Sequence, residues 1–112
     1  MTQMPADIPS ITHDQLPDGA VLVDVREDSE WALGRAPQGR HIALGELTSR
    51  LDELPQERPI IVTCRSGGRS ARAVAFLLDQ GYDAINLTGG MLAWQEGARP
   101  MTHDGPGIPS VS

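Results

Sequence analysis

The chain has 112 residues, 39% of them apolar, and no turn-rich stretch long enough to separate two cores, so one domain with one main site is expected. A formal net charge of −6 argues against nucleic acid and anionic membrane as partners, because both are held by clustered positive charge. The single cysteine, Cys64, excludes an internal disulfide and a cysteine-rich zinc site.

Residues 1 to 20 carry Pro5, Asp7, Pro9, His13 and Asp14 but no continuous apolar run. This argues against a signal peptide or membrane span and leaves the cytoplasm, where a lone thiol stays reduced, as the expected compartment. Val21-Leu22-Val23-Asp24-Val25 follows the Asp18-Gly19 turn signal and reads as a buried parallel strand. Glu27 to Leu33 reads as a helix that carries Trp31 and stops at Gly34. Arg40 to Leu44 reads as a short strand. Glu46 to Leu54, with Leu47, Leu51 and Leu54 at helical intervals before Pro55, reads as a further helix. Pro59 to Thr63 is a second β-branched run, with Pro59 in the first position that a strand tolerates. Ser70 to Gln80 is the strongest helical pattern: Ala71, Val74, Ala75, Leu77 and Leu78 form a broad apolar face and Gly81 supplies a stop. Ala84 to Leu87 reads as a short strand and Gly90 to Glu96 as a last helix.

Strands alternating with helices predict an α/β domain, a parallel sheet covered on both faces with right-handed crossovers. Ligands of such sheets bind outside the carboxyl ends of the strands, which directs attention to the turns after Val25, Thr63 and Leu87. The folded domain is expected over residues 9–100. Segments 1–8 and 101–112, rich in Pro, Gly, Thr and Ser, are expected to be flexible ends.

The turn after Thr63 holds the cysteine. Cys64-Arg65-Ser66-Gly67-Gly68-Arg69-Ser70 joins a buried strand to the best helix, and its paired glycines admit backbone conformations closed to other residues. Such a loop can curl around an anion with its N–H groups inward, helped by the positive end of the helix dipole and by the charges of Arg65 and Arg69. All of these favour thiolate over thiol, so Cys64 is expected below the free value of about 8.5. Asp24 and Arg26 end a strand on the same rim and read as an ion pair that orders loops, with Glu30 as a partner for Arg26. Trp31, Phe76 and Trp94 read as core aromatics, and His13, His41 and His103 lack metal-ligand spacing.

With these residues in view, the sequence resembles the rhodanese family, in its single-domain thiosulfate sulfurtransferase form, from about Ile11 to Pro100. Cys64 to Ser70 is similar to that family's active-site loop. Leu22-Val23-Asp24-Val25-Arg26 with Glu30-Trp31 and Gly34 resembles its N-terminal signature, and Leu87-Thr88-Gly89-Gly90-Met91-Leu92-Ala93-Trp94 its C-terminal one. Arg35 stands where the family commonly has His, and Gln38 where it commonly has Gly. The resemblance implies a five-stranded parallel sheet of order 1-5-4-2-3. It also implies that Cys64 carries a persulfide and that Arg65, Ser66, Gly67, Gly68, Arg69 and Ser70 cradle the anion. The expected partners are a small anionic donor such as thiosulfate and a cyanide or thiol acceptor, or a sulfur-carrier protein. No metal or cofactor is called for, since sulfite is already a good leaving group.

Two alternatives stay open. A thiolate phosphatase or arsenate reductase also places Arg after a cysteine loop, but with five intervening residues, whereas four separate Cys64 from Arg69. A persulfide- or redox-sensing interaction module would use the same loop without turnover.

Overall fold

Ile60-Ile61-Val62-Thr63 is buried along its whole length, as expected of a central strand in a parallel sheet with both faces covered. The structure, a computed structural model, describes residues 8–111. In chain order its elements are β1 (Ser10–Ile11), β2 (Leu22–Asp24), α1 (Asp28–Leu33), β3 (Gly39–His41), β4 (Ile60–Thr63), α2 (Gly68–Asp79), β5 (Ala84–Leu87) and α3 (Gly90–Glu96). The strands form one five-stranded sheet of order β1-β5-β4-β2-β3, all pairs parallel, which is the order implied by the resemblance. β1 is two residues long, too short to leave a periodic signal, and the residue pattern did not reveal it.

Alternation along the strands divides the core. Val23, Val25, Val62 and Cys64 face Ala73, Val74 and Leu77 of α2, while Leu22, Ile61 and Leu87 face Met91 and Trp94 of α3. Register makes the division consistent: Leu22 pairs with Ile61 and Val23 with Val62, so like faces meet across β2 and β4. Trp94 is fully buried and Phe76 packs against the α2-side core, but Trp31 is half-exposed, stacked between His41 and the Arg35 guanidinium.

Two segments differ from the sequence reading. Glu46 to Leu54 is no α-helix: it forms 3₁₀ stretches over Leu44–Ser49 and Leu51–Glu53. Leu47 and Leu54 still reach the core, because the same spacing of apolar residues serves either coil when it runs for only a few turns. Segment 101–111 lies against the domain. Thr102 pairs in both directions with Arg35, Asp104 N–H donates to Ala32 and Ser110 N–H to Leu33, so the segment satisfies carbonyls at the end of α1. Met101 and Val111 pack on the α3-side core. Residues 1–7 of the expected N-terminal flexible end fall outside the described residues; Ile8 packs against the α2-side core. Among the described residues no helix is long and apolar enough to cross a membrane.

Candidate active site

Cys64 follows the last residue of β4 and sits at the floor of the turn that leads into α2. Its neighbours in the loop are positioned from two sides. Gly67 adopts φ +118, a left-handed conformation that disfavours any side chain, and serves as the N-cap of α2. This places its N–H 3.1 Å from the Cys64 sulfur. Gly68 is different: it begins the helix, and a Cβ built there meets nothing, so only the first glycine of the pair uses glycine's backbone freedom.

The second support comes from α3. Met91 N–H donates to the Cys64 carbonyl at 2.8 Å and Leu92 N–H to the Arg65 carbonyl at 3.0 Å. A trans peptide sets its N–H opposite its C=O. Tying these two carbonyls to α3 therefore turns the following N–H groups, those of Arg65 and Ser66, away from α3. Gly90 makes the approach possible, since a Cβ there would lie 2.5 Å from the Cys64 carbonyl oxygen.

These donors govern the charge on the sulfur. Burial, with Cys64 only 1% exposed, pushes the thiol up. The Ser70 hydroxyl at 3.3 Å and the N–H groups of Ser70, Gly67 and Ser66 outweigh it, so the thiol lies below its ordinary value. Hydrogen bonds within the loop thus produce the shift that the sequence reading also attributed to full arginine charges.

Arg69 has another engagement. Its guanidinium forks onto Glu30 of α1 at 2.7 and 2.8 Å, and that pairing holds the Glu30 carboxyl down at about 2. The pair ties the cysteine loop to the start of α1. Glu30 was expected to bind Arg26, but only its backbone carbonyl, at 3.4 Å, meets that side chain. Arg26 is instead fully buried and forked onto Asp24 at 2.9 and 2.7 Å, with a further bond to the Gly34 carbonyl at 2.8 Å. The Asp24–Arg26 pair therefore braces the end of β2 against the end of α1. His41 Nε2 lies 2.7 Å from the Arg26 carbonyl oxygen and extends this brace to β3. Arg65 and Ser66 are exposed at the loop surface.

Sequence reasoning missed Asn86. It lies on β5, on the same side as Ala84, and accepts from the Ser70 hydroxyl at 2.6 Å. Twenty-two positions separate it from Cys64 in the chain. A buried polar residue inside the apolar run Ala84-Ile85-Asn86-Leu87 was the available signal. Among the described residues no group of three His, Cys, Asp or Glu is placed to hold a metal ion.

An α/β domain that ends its central strand in a cysteine under converging N–H donors defines a class of thiolate-bearing loop proteins. Within that class the chain belongs to the family of the rhodanese-like domain, whose family model matches residues 9–97. It is 39% identical over 79 residues to YtwF, a provisionally assigned sulfurtransferase of Bacillus subtilis, across 70% of this chain and 77% of that protein. It is 36% identical over 85 residues to a sulfurtransferase of Allochromatium vinosum, across 75% of this chain and 79% of that protein. The fold matches the crystal structure of a rhodanese-related protein from Thermoplasma volcanium with a TM-score of 0.77 at 30% identity, across 84% of this chain and 97% of that one. Sulfurtransferase activity is supported at the level of the family.

Proposed function

We propose that this chain is a thiosulfate sulfurtransferase, acting in the cytoplasm, that carries sulfane sulfur as a persulfide on Cys64. The observation that carries the reading is the setting of the sulfur, which receives the Gly67 N–H at 3.1 Å and the Ser70 hydroxyl at 3.3 Å at the start of a twelve-residue helix.

In the first half-reaction the Cys64 thiolate attacks the sulfane sulfur of thiosulfate. The S–S bond of the donor breaks, sulfite leaves with the electron pair, and a cysteine persulfide anion remains. The N–H groups of the loop then face an anion one sulfur longer, and the same donors stabilise it. In the second half-reaction cyanide or a thiolate, free or on a sulfur-carrier protein, attacks the outer sulfur and returns Cys64 as thiolate. Cys64 is almost wholly buried, which favours a small donor. Loop residues Arg65 to Ser70 form the cradle, with Arg65 and Ser66 at its mouth and Arg69 held at its side by Glu30. Asp24 and Arg26 support it from beneath by fixing the end of β2.

Incubation with thiosulfate is expected to add one sulfur atom to the intact protein by mass spectrometry, and cyanide to remove it with formation of thiocyanate. Cys64→Ser is expected to abolish both steps. Turnover of thiosulfate by the Ser variant, or a wild-type mass that thiosulfate leaves unchanged, would overturn the proposal.

A further inference from the structure

Three acceptors surround the Ser70 hydroxyl: the Asn86 Oδ1 at 2.6 Å, the Gly67 carbonyl at 3.2 Å and the Cys64 sulfur at 3.3 Å. A hydroxyl has one hydrogen to donate. The orientation of Asn86 is set by its other contact, since the Gly67 carbonyl can only accept and the amide nitrogen must face it, at 3.5 Å. The amide oxygen therefore faces Ser70, and by distance it is the acceptor that holds the proton. While it does so, Ser70 presents a lone pair to the sulfur. That arrangement suits a thiol and opposes a thiolate.

We propose that Asn86 is a positioning residue for sulfur transfer: its amide oxygen competes with the Cys64 sulfur for the single hydroxyl proton of Ser70 and so sets the fraction of thiolate. The proposal rests on the reading of Cys64 as the reacting sulfur. When the thiol gives its proton to solvent, the Ser70 hydroxyl turns to the sulfur and Asn86 loses a buried donor; the exchange holds the thiol above the value that the loop N–H groups alone would give. A restrained thiolate has a use. Nucleophilicity falls as a thiol becomes more acidic, so the best attacking sulfur titrates near the ambient pH. The Gly67 carbonyl keeps its helical bond from Ala71 N–H in either state. The charged groups around the loop are Arg65, Arg69 with its partner Glu30, and the Asp24–Arg26 pair at the end of β2, and the test alters none of them.

The test is the pH dependence of Cys64 alkylation by iodoacetamide, which needs no sulfur donor. Asn86→Leu removes the competitor and is expected to move the midpoint of the profile down, with alkylation about threefold faster on its acid side. Asn86→Asp offers a stronger acceptor and a charge, and is expected to move the midpoint up, with alkylation about tenfold slower on the acid side of the profile. In a Ser70→Ala background the effect of Asn86→Leu should vanish. A merely structural role would move both variants in one direction. Shifts of the same sign, an unshifted Leu variant, or a Leu effect that survives without Ser70 would overturn the proposal. Should the Asp variant not fold, the side-chain amide resonances of Asn86 in the wild-type protein are expected to titrate with the Cys64 midpoint, and resonances that ignore it would count against the proposal equally. Opposite shifts in a protein that forms no persulfide would leave the hold of Asn86 on the thiol intact and remove the sulfur-transfer reading alone.

Discussion

Ser70 is placed to donate to the sulfur once it is anionic and Glu30 holds the loop arginine, and the two residues act on different observables. Ser70→Ala removes a donor from the anionic form of Cys64, so its pKa should rise, leaving severalfold less thiolate at neutral pH. Alkylation rates measured across pH should show that loss at neutrality and its recovery in alkaline solution. An unchanged midpoint would mean that the N–H groups alone set the charge. Glu30 gives a stability signature. Its carboxyl lies at about 2 in the folded protein against an ordinary value of 4.5. A carboxylate depressed in this way contributes stability that is fully present above the unfolded value and is lost as pH falls through the folded one. The thermal midpoint of wild type should therefore exceed that of Glu30→Gln by a constant amount above about pH 5.5, and the difference should shrink toward pH 2. A difference that does not change across that range would show that the ion pair contributes nothing.

At the scale of elements, the loop exists because α3 reaches it. Gly90 has φ +56, and a Cβ there would meet the Cys64 and Arg65 carbonyl oxygens at 2.5 and 2.7 Å. Gly90→Ala should push α3 off the loop and turn the Ser66 N–H away from the sulfur. The expected result is loss of most persulfide formation, at least tenfold, with a stability loss of about 2 kcal/mol by denaturant unfolding and the sheet retained by circular dichroism. Full activity in the Ala variant would show that α3 does not shape the loop. Here the sequence was partly legible. The glycine pair before Met91 was visible and so was the cysteine loop, but the bond between them crosses from β4 to α3 and leaves no local pattern. The reverse holds for Glu46 to Leu54, where apolar spacing matched a helix. A few turns of coil bury the same leucines whether they wind as α or 3₁₀, so periodicity could not choose.

For the molecule as a whole, the C-terminal segment matters more than its composition suggested. Arg35 stacks on Trp31, donates to the Trp31 carbonyl and pairs with Asp104, while Thr102 bridges its backbone. Gly34 lies beneath Ser110, with its own carbonyl held by Arg26. Removal of residues 101–112 would take Met101 and Val111 off the α3-side core and free carbonyls at the end of α1. The expected cost is about 2 kcal/mol, read as a thermal midpoint lower by about ten degrees. A truncated protein as stable as the full chain would show that these contacts carry no free energy.

Some properties were fixed by composition and local order: the α/β alternation, the β-branched buried strands, the strongest helix and the placement of Cys64 at a strand end before it. These follow from period, propensity and turn chemistry, which act over a few residues. The sheet order came from the family resemblance, because strand pairing is a choice among distant segments. Only the folded molecule decided that Arg69 binds Glu30, that Arg26 also reaches the Gly34 carbonyl, and that Asn86 on β5 reaches Ser70. The physical reason is that a hydrogen bond depends on position in space, and the residues that share the Ser70 proton are brought together by strands paired across the sheet.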